Sequence, residues 1–114
     1  MLPVLAKIDA LKKIVDYGMT KHVGLIVKGN LIATYPEEFE LFRNVASNIY
    51  TIHTKISKSI GNYIFLEIYV KDKRIIAYPL DDTSIILLHL NEDVSAELVL
   101  DEVLKLFGKA IKGR

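Results

Sequence analysis

The three histidines are the residues of this chain with the most versatile chemistry, because histidine binds metals and transfers protons near neutral pH. His22, His53 and His89 are far apart in the sequence, and no two have the spacing of a metal-binding pair on a helix. The chain has no cysteine, which excludes disulfides and thiolate chemistry. We therefore expect no metal site and interpret His53 and His89 as hydrogen-bonded histidines of the core.

Arg43 falls in a long segment of helical periodicity, and an arginine inserted into a GTPase site accelerates hydrolysis by orders of magnitude. The residues beside it by helical spacing are polar and indicate a solvated face: Glu40, Asn44, Ser47 and Thr54. Glu40, three residues earlier, is the expected ion-pair partner of Arg43. We interpret Arg43 as a surface residue.

The sequence has none of the short motifs that bind nucleotides or carry nucleophilic catalysis. It contains no G-x-S-x-G, no Walker A and no G-x-G-x-x-G. Asp81 and Asp82 fall in a predicted turn, where aspartate is favoured because its carboxylate accepts local backbone hydrogen bonds. We therefore predict a protein without catalytic residues and without a cofactor.

Length and charge narrow the class of protein. The chain has 114 residues, which predicts a single domain over 1–114. Its 15 basic and 14 acidic residues are scattered, so we expect no binding to nucleic acid. No apolar run reaches the roughly 18 residues of a membrane span, and the first residues do not resemble a signal peptide. We expect a cytoplasmic protein that does not insert into membranes. Its many isoleucines and lysines, without cysteine or tryptophan, are typical of heat-adapted proteins.

Hydrophobic periodicity predicts eight elements in the order α-β-β-α-β-β-β-α. The predicted helices cover Leu2–Val15, ended by Gly18; Pro36 to about Ile60, ended by Gly61; and about Ser95–Ile111. The predicted strands cover Val23–Val27, Leu31–Tyr35, Tyr63–Val70, Arg74–Leu80 and Ser84–Leu90. Gly29 and Asn30 are predicted to form the tight turn between the first two strands. Pro36 is predicted to be the first residue of the long helix.

The last predicted strand is apolar on both faces from Ile85 to Leu88. A strand of this kind is covered on both sides, so we place it at the centre of the sheet with helices on both faces. The sequence therefore predicts an α+β protein built on a five-stranded sheet.

The long predicted helix carries two apolar stripes, one more than a single contact with the sheet needs. The first is sufficient to seat the helix and comprises Phe39, Phe42, Ala46, Ile49, His53, Ile56 and Ile60. The second has more polar interruptions and comprises Leu41, Val45, Asn48, Ile52 and Lys55. This second stripe either lies under a flanking loop or forms an exposed patch, which usually marks an interface. We favour the interface.

The predicted strand Tyr63–Val70 has two different faces. One face carries Ile64, Leu66, Ile68 and Val70, and the other carries Tyr63, Phe65, Glu67 and Tyr69. Aromatic residues around one carboxylate suit an interface core with a polar anchor. If the strand lies at the edge of the sheet, pairing with its own copy would protect that edge and build a two-fold dimer. Otherwise Glu67 is a charge that discourages aggregation. In both interpretations Glu67 is structural.

Several short features occur in a fixed order along the chain. Val23-Gly24 opens the first strand, Gly29 lies in the turn, and Leu31-Ile32-Ala33 follows it; then come the long helix, Glu67 and Leu87-Leu88. In this order they resemble the Roadblock/dynein light chain domain family, as found in MglB-type proteins. The resemblance implies an antiparallel sheet with profilin-like layering, the long helix on one face and the terminal helices on the other. It also implies a dimer formed by the third strand and the long helix, and a platform that binds and regulates small Ras-like GTPases.

Together these observations predict a non-enzymatic homodimeric scaffold for a small Ras-like GTPase. The predicted dimer interface comprises Leu41, Val45, Asn48, Ile52, Tyr63, Phe65, Glu67 and Tyr69. The predicted partner surface comprises Glu40, Arg43, Asn44 and Ser47. Two alternatives remain open. One is a small-molecule sensor of profilin-like or PAS-like architecture, with His89 and Tyr78 as the polar groups of an apolar cavity. The other is a structural scaffold for other proteins.

Overall fold

The computed structural model describes residues 4–61, 65–81 and 83–112, which form three helices and five strands. The helices are α1 (Val4–Asp16), α2 (Glu40–Ser59) and α3 (Ala96–Lys112). The strands are β1 (Thr20–Val27), β2 (Asn30–Tyr35), β3 (Leu66–Val70), β4 (Lys73–Pro79) and β5 (Ser84–Leu90). The predicted order of elements is confirmed. β1 begins three residues earlier than predicted, because Thr20 and His22 already pair with β5.

All five strands belong to one antiparallel sheet with the order β2-β1-β5-β4-β3. β5 lies at the centre, between β1 and β4, and every one of its residues is buried. The prediction of a central strand covered on both faces is therefore confirmed. β2 and β3 are the edge strands, so each has one side on which the backbone is not paired within the sheet.

Neighbouring residues of β5 face opposite layers of the core. Leu88 belongs to the apolar cluster under α1 and α3, together with Ile14 and Phe107. Leu87 belongs to the cluster under α2, together with Phe42. Burial of these two clusters is the main source of stability in a fold that has no disulfide.

α2 begins at Glu40, four residues later than predicted, so the prediction that Pro36 is the first helical residue is wrong. Phe39 precedes the helix with extended backbone angles, φ −121° and ψ 104°. Its ring stacks on the ring of His22 and packs edge-on against Phe42. These contacts hold Phe39 against the sheet, and helical geometry begins only after it.

Three glycines with positive φ mark the ends of elements. In the turn between β1 and β2, Lys28 has φ 52° and Gly29 has φ 86°, and Asn30 is already part of β2. The predicted Gly29–Asn30 turn is therefore wrong by one residue, because a two-residue hairpin turn of this kind needs positive φ at both central positions. Gly18 and Gly61 adopt positive φ after α1 and α2, which confirms both predicted helix stops.

A buried ion pair joins α1 to the turn before β5. Lys7 is only 3% exposed, and its Nζ donates to Asp81 Oδ2 at 3.3 Å and to Ser84 Oγ at 3.0 Å. Asp81 Oδ1 accepts the backbone N–H groups of Thr83 and Ser84, which confirms the predicted turn role of Asp81. Burial works against the ionised carboxylate, but these hydrogen bonds outweigh it and lower the pKa of Asp81. Asp82 lies outside the described residues.

α2 approaches the sheet closely where Phe42 lies over Gly24 of β1. A Cβ atom at Gly24 would lie 2.9 Å from Cδ2 of Phe42 and 3.3 Å from Cδ1 of Leu31. Phe42 is fully buried, so its ring has little freedom to move away. Glycine at this position is therefore required by the contact between helix and sheet.

We expect Gly24→Ala to destabilise the protein by about 1–3 kcal/mol, because the added methyl group overpacks the contact with Phe42. Chemical denaturation measures the change in the free energy of unfolding. Phe42→Leu provides the control, since a smaller side chain relieves the overpacking. The double variant should then lose less stability than the sum of the two single losses. Strictly additive losses would contradict this explanation.

Candidate protein-interaction surface

α2 packs on the sheet through the first of its two predicted stripes. Phe42, Ala46, Ile49 and His53 are buried. Ile60 was predicted to extend this stripe, but it is 80% exposed, and that prediction is wrong. Ile60 is the residue that caps the helix, with φ −115°, so helical periodicity does not extend to it.

The position of Tyr50 establishes which flank of α2 faces which edge of the sheet. A Cβ atom at Gly29, in the turn that begins β2, would lie 3.2 Å from the ring of Tyr50. The Tyr50 flank therefore faces β2. Ile52 follows two residues later, about 200° further around the helix. The second stripe consequently lies on the opposite flank, which faces β3.

The second stripe is only partly covered. Leu41 and Val45 are half-buried against the core cluster under α2. Asn48 and Lys55 are exposed, and Ile52 is 44% exposed. This exposure favours the predicted exposed patch over burial under a flanking loop. The flank forms an apolar strip with polar interruptions beside the β3 half of the sheet.

β3 is the edge strand on the same side of the molecule as this strip. It covers Leu66–Val70, and of the remaining predicted strand Tyr63 and Ile64 lie outside the described residues. Phe65 precedes the strand and packs against the cluster under α1 and α3. The role predicted for Tyr63 therefore stays a prediction.

The side chains of β3 alternate as predicted. Leu66 and Ile68 are partly buried against the cluster under α2, whereas Glu67 and Tyr69 are exposed on the other face. Tyr69 is 66% exposed. Two of the predicted interface residues therefore lie on the sheet face opposite α2, and an interface containing them would have to include the strand edge itself.

Glu67 is held by hydrogen bonds within its own chain. Its Oε1 accepts the hydroxyl of Tyr69 at 2.8 Å and both Nε and Nη2 of Arg74 at 3.3 Å. Nη1 of Arg74 in turn donates to the backbone carbonyl of Val94, at 3.0 Å, in the connection before α3. The carboxylate is thus balanced by a guanidinium group beside the free edge.

The two edge strands differ in regularity. In β2, Leu31 pairs with Ile26 and Ala33 pairs with Leu25, so Ile32 is an unpaired bulge residue. β3 pairs with β4 in unbroken register over all five residues and contains no proline. Bulges disturb a strand edge and protect it from further pairing. β3 is therefore the edge better suited to accept another strand.

The predicted partner residues are exposed, on the outward side of α2 and its β2 flank: Glu40, Arg43, Asn44 and Ser47. Nε of Arg43 donates to Glu38 Oε1 at 2.7 Å, so the predicted pairing of Arg43 with Glu40 is wrong. The extended segment before the helix brings Glu38 alongside Arg43. Both side chains line a cleft of about 230 Å³ together with residues of β2.

The structure brings together two histidines that the sequence spacing left apart. His22 of β1 pairs with His89 of β5 in the sheet, and their Nδ1 atoms lie 3.2 Å apart, so one ring donates to the other. The ring of Phe39 stacks on both, with centroid distances of 4.2 Å and 5.0 Å. Glu37 Oε1 lies 3.9 Å from Nε2 of His22. The prediction of a buried, hydrogen-bonded His89 is confirmed.

Both histidines are held in the neutral form. The pKa of His89 is lowered to about 4, first by burial, then by the charge that His22 carries when protonated, and then by Lys21 and Lys73, with Asp72 acting in the opposite direction. The pKa of His22 is lowered by burial, which outweighs the attraction of Glu37. The pair therefore acts as a neutral part of the packing around Phe39.

The cavity predicted for the sensor alternative is not formed by its two polar residues. His89 lies on the α2 face of the sheet, beside Phe39, whereas Tyr78 packs against the cluster under α1 and α3. That prediction is wrong, because the two side chains lie on opposite faces of the sheet.

Within the described residues no cluster of three or more His, Asp or Glu side chains could hold a metal ion. Nor is any helix in the described part of the chain long and apolar enough to cross a membrane.

This architecture is that of the Roadblock/LC7 domains, and the predicted fold is confirmed. The Roadblock/LC7 domain of Streptomyces avermitilis is similar with a TM-score of 0.71 at 8% identity, covering 90% of this chain and 92% of that domain. Myxococcus xanthus MglB is similar with a TM-score of 0.75 at 14% identity, covering 97% of this chain and 96% of MglB.

The layering is also related to that of profilin. Acanthamoeba castellanii profilin IA is similar with a TM-score of 0.53 at 15% identity, covering 92% of this chain and 96% of profilin. No protein-family model and no curated protein matches the sequence. The likeness to these proteins is therefore one of fold.

The neutral histidine pair predicts an acid-sensitive stability. Unfolded His89 takes up a proton near its ordinary pKa of 6.5, but folded His89 does so only near pH 4. The free energy of unfolding should therefore fall as the pH is lowered from 6.5 to about 4, by about 2 kcal/mol. Urea denaturation at pH 7 and pH 4.5 measures this loss. His89→Leu should reduce the difference between the two pH values, whatever its effect at pH 7. An undiminished difference in that variant would contradict the assignment.

Proposed function

We propose that this protein is a non-enzymatic homodimeric scaffold that binds and regulates a small Ras-like GTPase. In the proposed dimer, β3 pairs with β3 of a second copy, and the second stripes of the two α2 helices pack against each other. The interface then contains Leu41, Val45, Asn48, Ile52 and the β3 residues Glu67 and Tyr69. Phe65 lies beside it, and the predicted role of Tyr63 is part of the proposal.

The main support for the proposed dimer is that β3 and the second stripe of α2 lie on the same side of the molecule. The flank of α2 with Ile52 faces β3, and β3 is the edge without a bulge. A single two-fold contact could therefore cover the apolar strip and the unpaired strand together. Covering both also removes the exposed features that otherwise favour aggregation. One solved MglB of similar fold has a tetrameric arrangement, which supports self-association as a property of this architecture.

The proposed GTPase surface lies on the other flank of the long helix. Glu40, Arg43, Asn44 and Ser47 are exposed there, so they stay accessible in the proposed dimer. Arg43 is engaged by Glu38 at 2.7 Å, which suits a residue that contributes to docking better than one that projects freely into a partner's active site. The GTPase itself is proposed from the resemblance to the Roadblock family.

A sensor of small apolar molecules has less support. The apolar cleft between α1 and β2, lined by Ile8, Leu11 and Tyr35 among others, has a volume of only about 10 Å³. This is room for at most one water molecule. A structural scaffold for other proteins would use the same dimer and differ only in its partner.

Ile52→Glu should convert the dimer to a monomer, because it places a charge in the centre of the apolar strip. Native mass measured by light scattering would test this at protein concentrations where the unmodified chain is dimeric. Ser57→Glu is the matched control. It adds the same charge on the same helix, about 140° away around its axis, and should leave the mass unchanged. A dimeric Ile52→Glu protein with a native circular dichroism spectrum would exclude the interface.

A capture experiment tests the proposed partner. The immobilised protein is offered the small Ras-like GTPases of its own source organism, loaded with GDP or with a GTP analogue. We expect one of them to bind, more tightly in one nucleotide state. Arg43→Ala and Asn44→Ala should weaken capture by about tenfold each if they form part of a buried polar contact. Both variants should remain dimeric.

Failure of every GTPase to bind a confirmed native dimer would exclude the proposed partner but keep the dimer. Capture at full strength by both variants would move the partner surface away from the β2 flank of α2.

A further inference from the structure

A polar cleft of about 120 Å³ lies where β5 ends and where β1 and β4 begin. This volume far exceeds the roughly 10–15 Å³ that one water molecule requires. Seven residues from these strands and their connections line it: Lys21, Asp72, Lys73, Arg74, His89, Leu90 and Glu92. Three of them are cationic and two are anionic, which leaves a positive balance. We propose that this cleft binds a phosphate-type dianion.

The three cationic side chains of the cleft differ in how strongly they are bound by acceptors of the protein itself. Arg74 is bound by Glu67 and by the carbonyl of Val94. Nζ of Lys73 lies 3.8 Å from Asp72, and both side chains are substantially exposed, so this pair is weak. Lys21 has no ion-pair partner within 4.0 Å among the described residues. Lys21 and Lys73 therefore supply the charge for an anion, and Arg74 forms a fixed wall.

Lys21 owes its position to an irregularity in the central sheet. Thr20 pairs with Leu90 and His22 pairs with His89, so Lys21 is an extra residue with no partner on β5. Bulges of this kind redirect a side chain and are frequent beside functional sites. This one is accompanied by a cost, because Thr20 Oγ1 is buried without a hydrogen-bond partner in the described structure. The bulge does not stabilise the sheet, but it places Lys21 at the proposed anion site.

His89 makes the cleft sensitive to its occupant. One ring nitrogen, Nδ1, is engaged with His22, which leaves Nε2 as the second polar atom of a buried ring. The charges of Lys21 and Lys73 help to lower the pKa of this ring, while Asp72 opposes them. A bound dianion would offset the two lysines and raise the pKa of His89. Because the ring of His89 lines the cleft, its imidazole resonances report whether an anion is bound.

Inorganic phosphate is the first probe. It is titrated into the native protein at pH 7.5 with sodium chloride as the ionic-strength control, while NMR follows the imidazole resonances of His89. We expect saturable binding, seen as a shift of the His89 resonances that sodium chloride does not produce. Lys21→Met and Lys73→Met should each weaken binding by at least about tenfold. Lys13→Met, on the exposed side of α1, should bind as the unmodified protein does.

Glycerol phosphate forms a second arm that separates two sources of the same chemistry. Binding of inorganic phosphate alone would assign the cleft to the free anion, and binding of both would assign it to a phosphate ester as well. Either result supports the site. A response equal to that of sodium chloride, or undiminished binding by both lysine variants, would overturn it. The test is independent of the proposed GTPase and of the dimer, because neither capture nor native mass enters it.

Discussion

β5 has apolar side chains on both faces and no exposed residue, so the chain must cover it from two sides at once. On one face two helices share this task. On the other face α2 is alone, and a helix about 10 Å wide cannot cover five strands that span about 20 Å. α2 lies over β1 and β2, with Phe42 fitted against Gly24. The uncovered part of that face is therefore the part beside β3. The candidate interface is a consequence of how the central strand is buried.

The types and order of the elements could be predicted from the sequence because each follows from a local pattern. The double-sided apolar run of Ile85–Leu88 and the glycines that end α1 and α2 are of this kind. The errors occur where tertiary contacts decide. Phe39 delays the start of α2 because its ring packs on residues from two strands, and nothing in the residues next to Pro36 indicates those strands.

The sequence was sufficient to predict which faces of α2 and β3 form the candidate site. It was not sufficient to predict which side chains contact each other there. Helical spacing was sufficient to separate the two stripes of α2, and strand alternation was sufficient to separate the faces of β3. Predicting the histidine pair would have required the register between two strands. His22 and His89 meet because the regular antiparallel register of β1 and β5 places them directly opposite each other. The alternation within one strand does not reveal which residue of another strand it faces. For the same reason, the sequence did not reveal that Tyr78 and His89 point to opposite layers.

Arg74 connects three parts of the chain that are otherwise separate. It holds Glu67 on the free edge, borders the cleft at the end of the sheet, and binds the carbonyl of Val94 just before α3. Its planar guanidinium group presents several N–H donors in a fixed arrangement, so one side chain serves both contacts. Hydrogen bonds through Arg74 therefore link the β3 edge to the connection that leads into α3. The free edge of the sheet and the approach to the terminal helix thus share a single anchoring side chain.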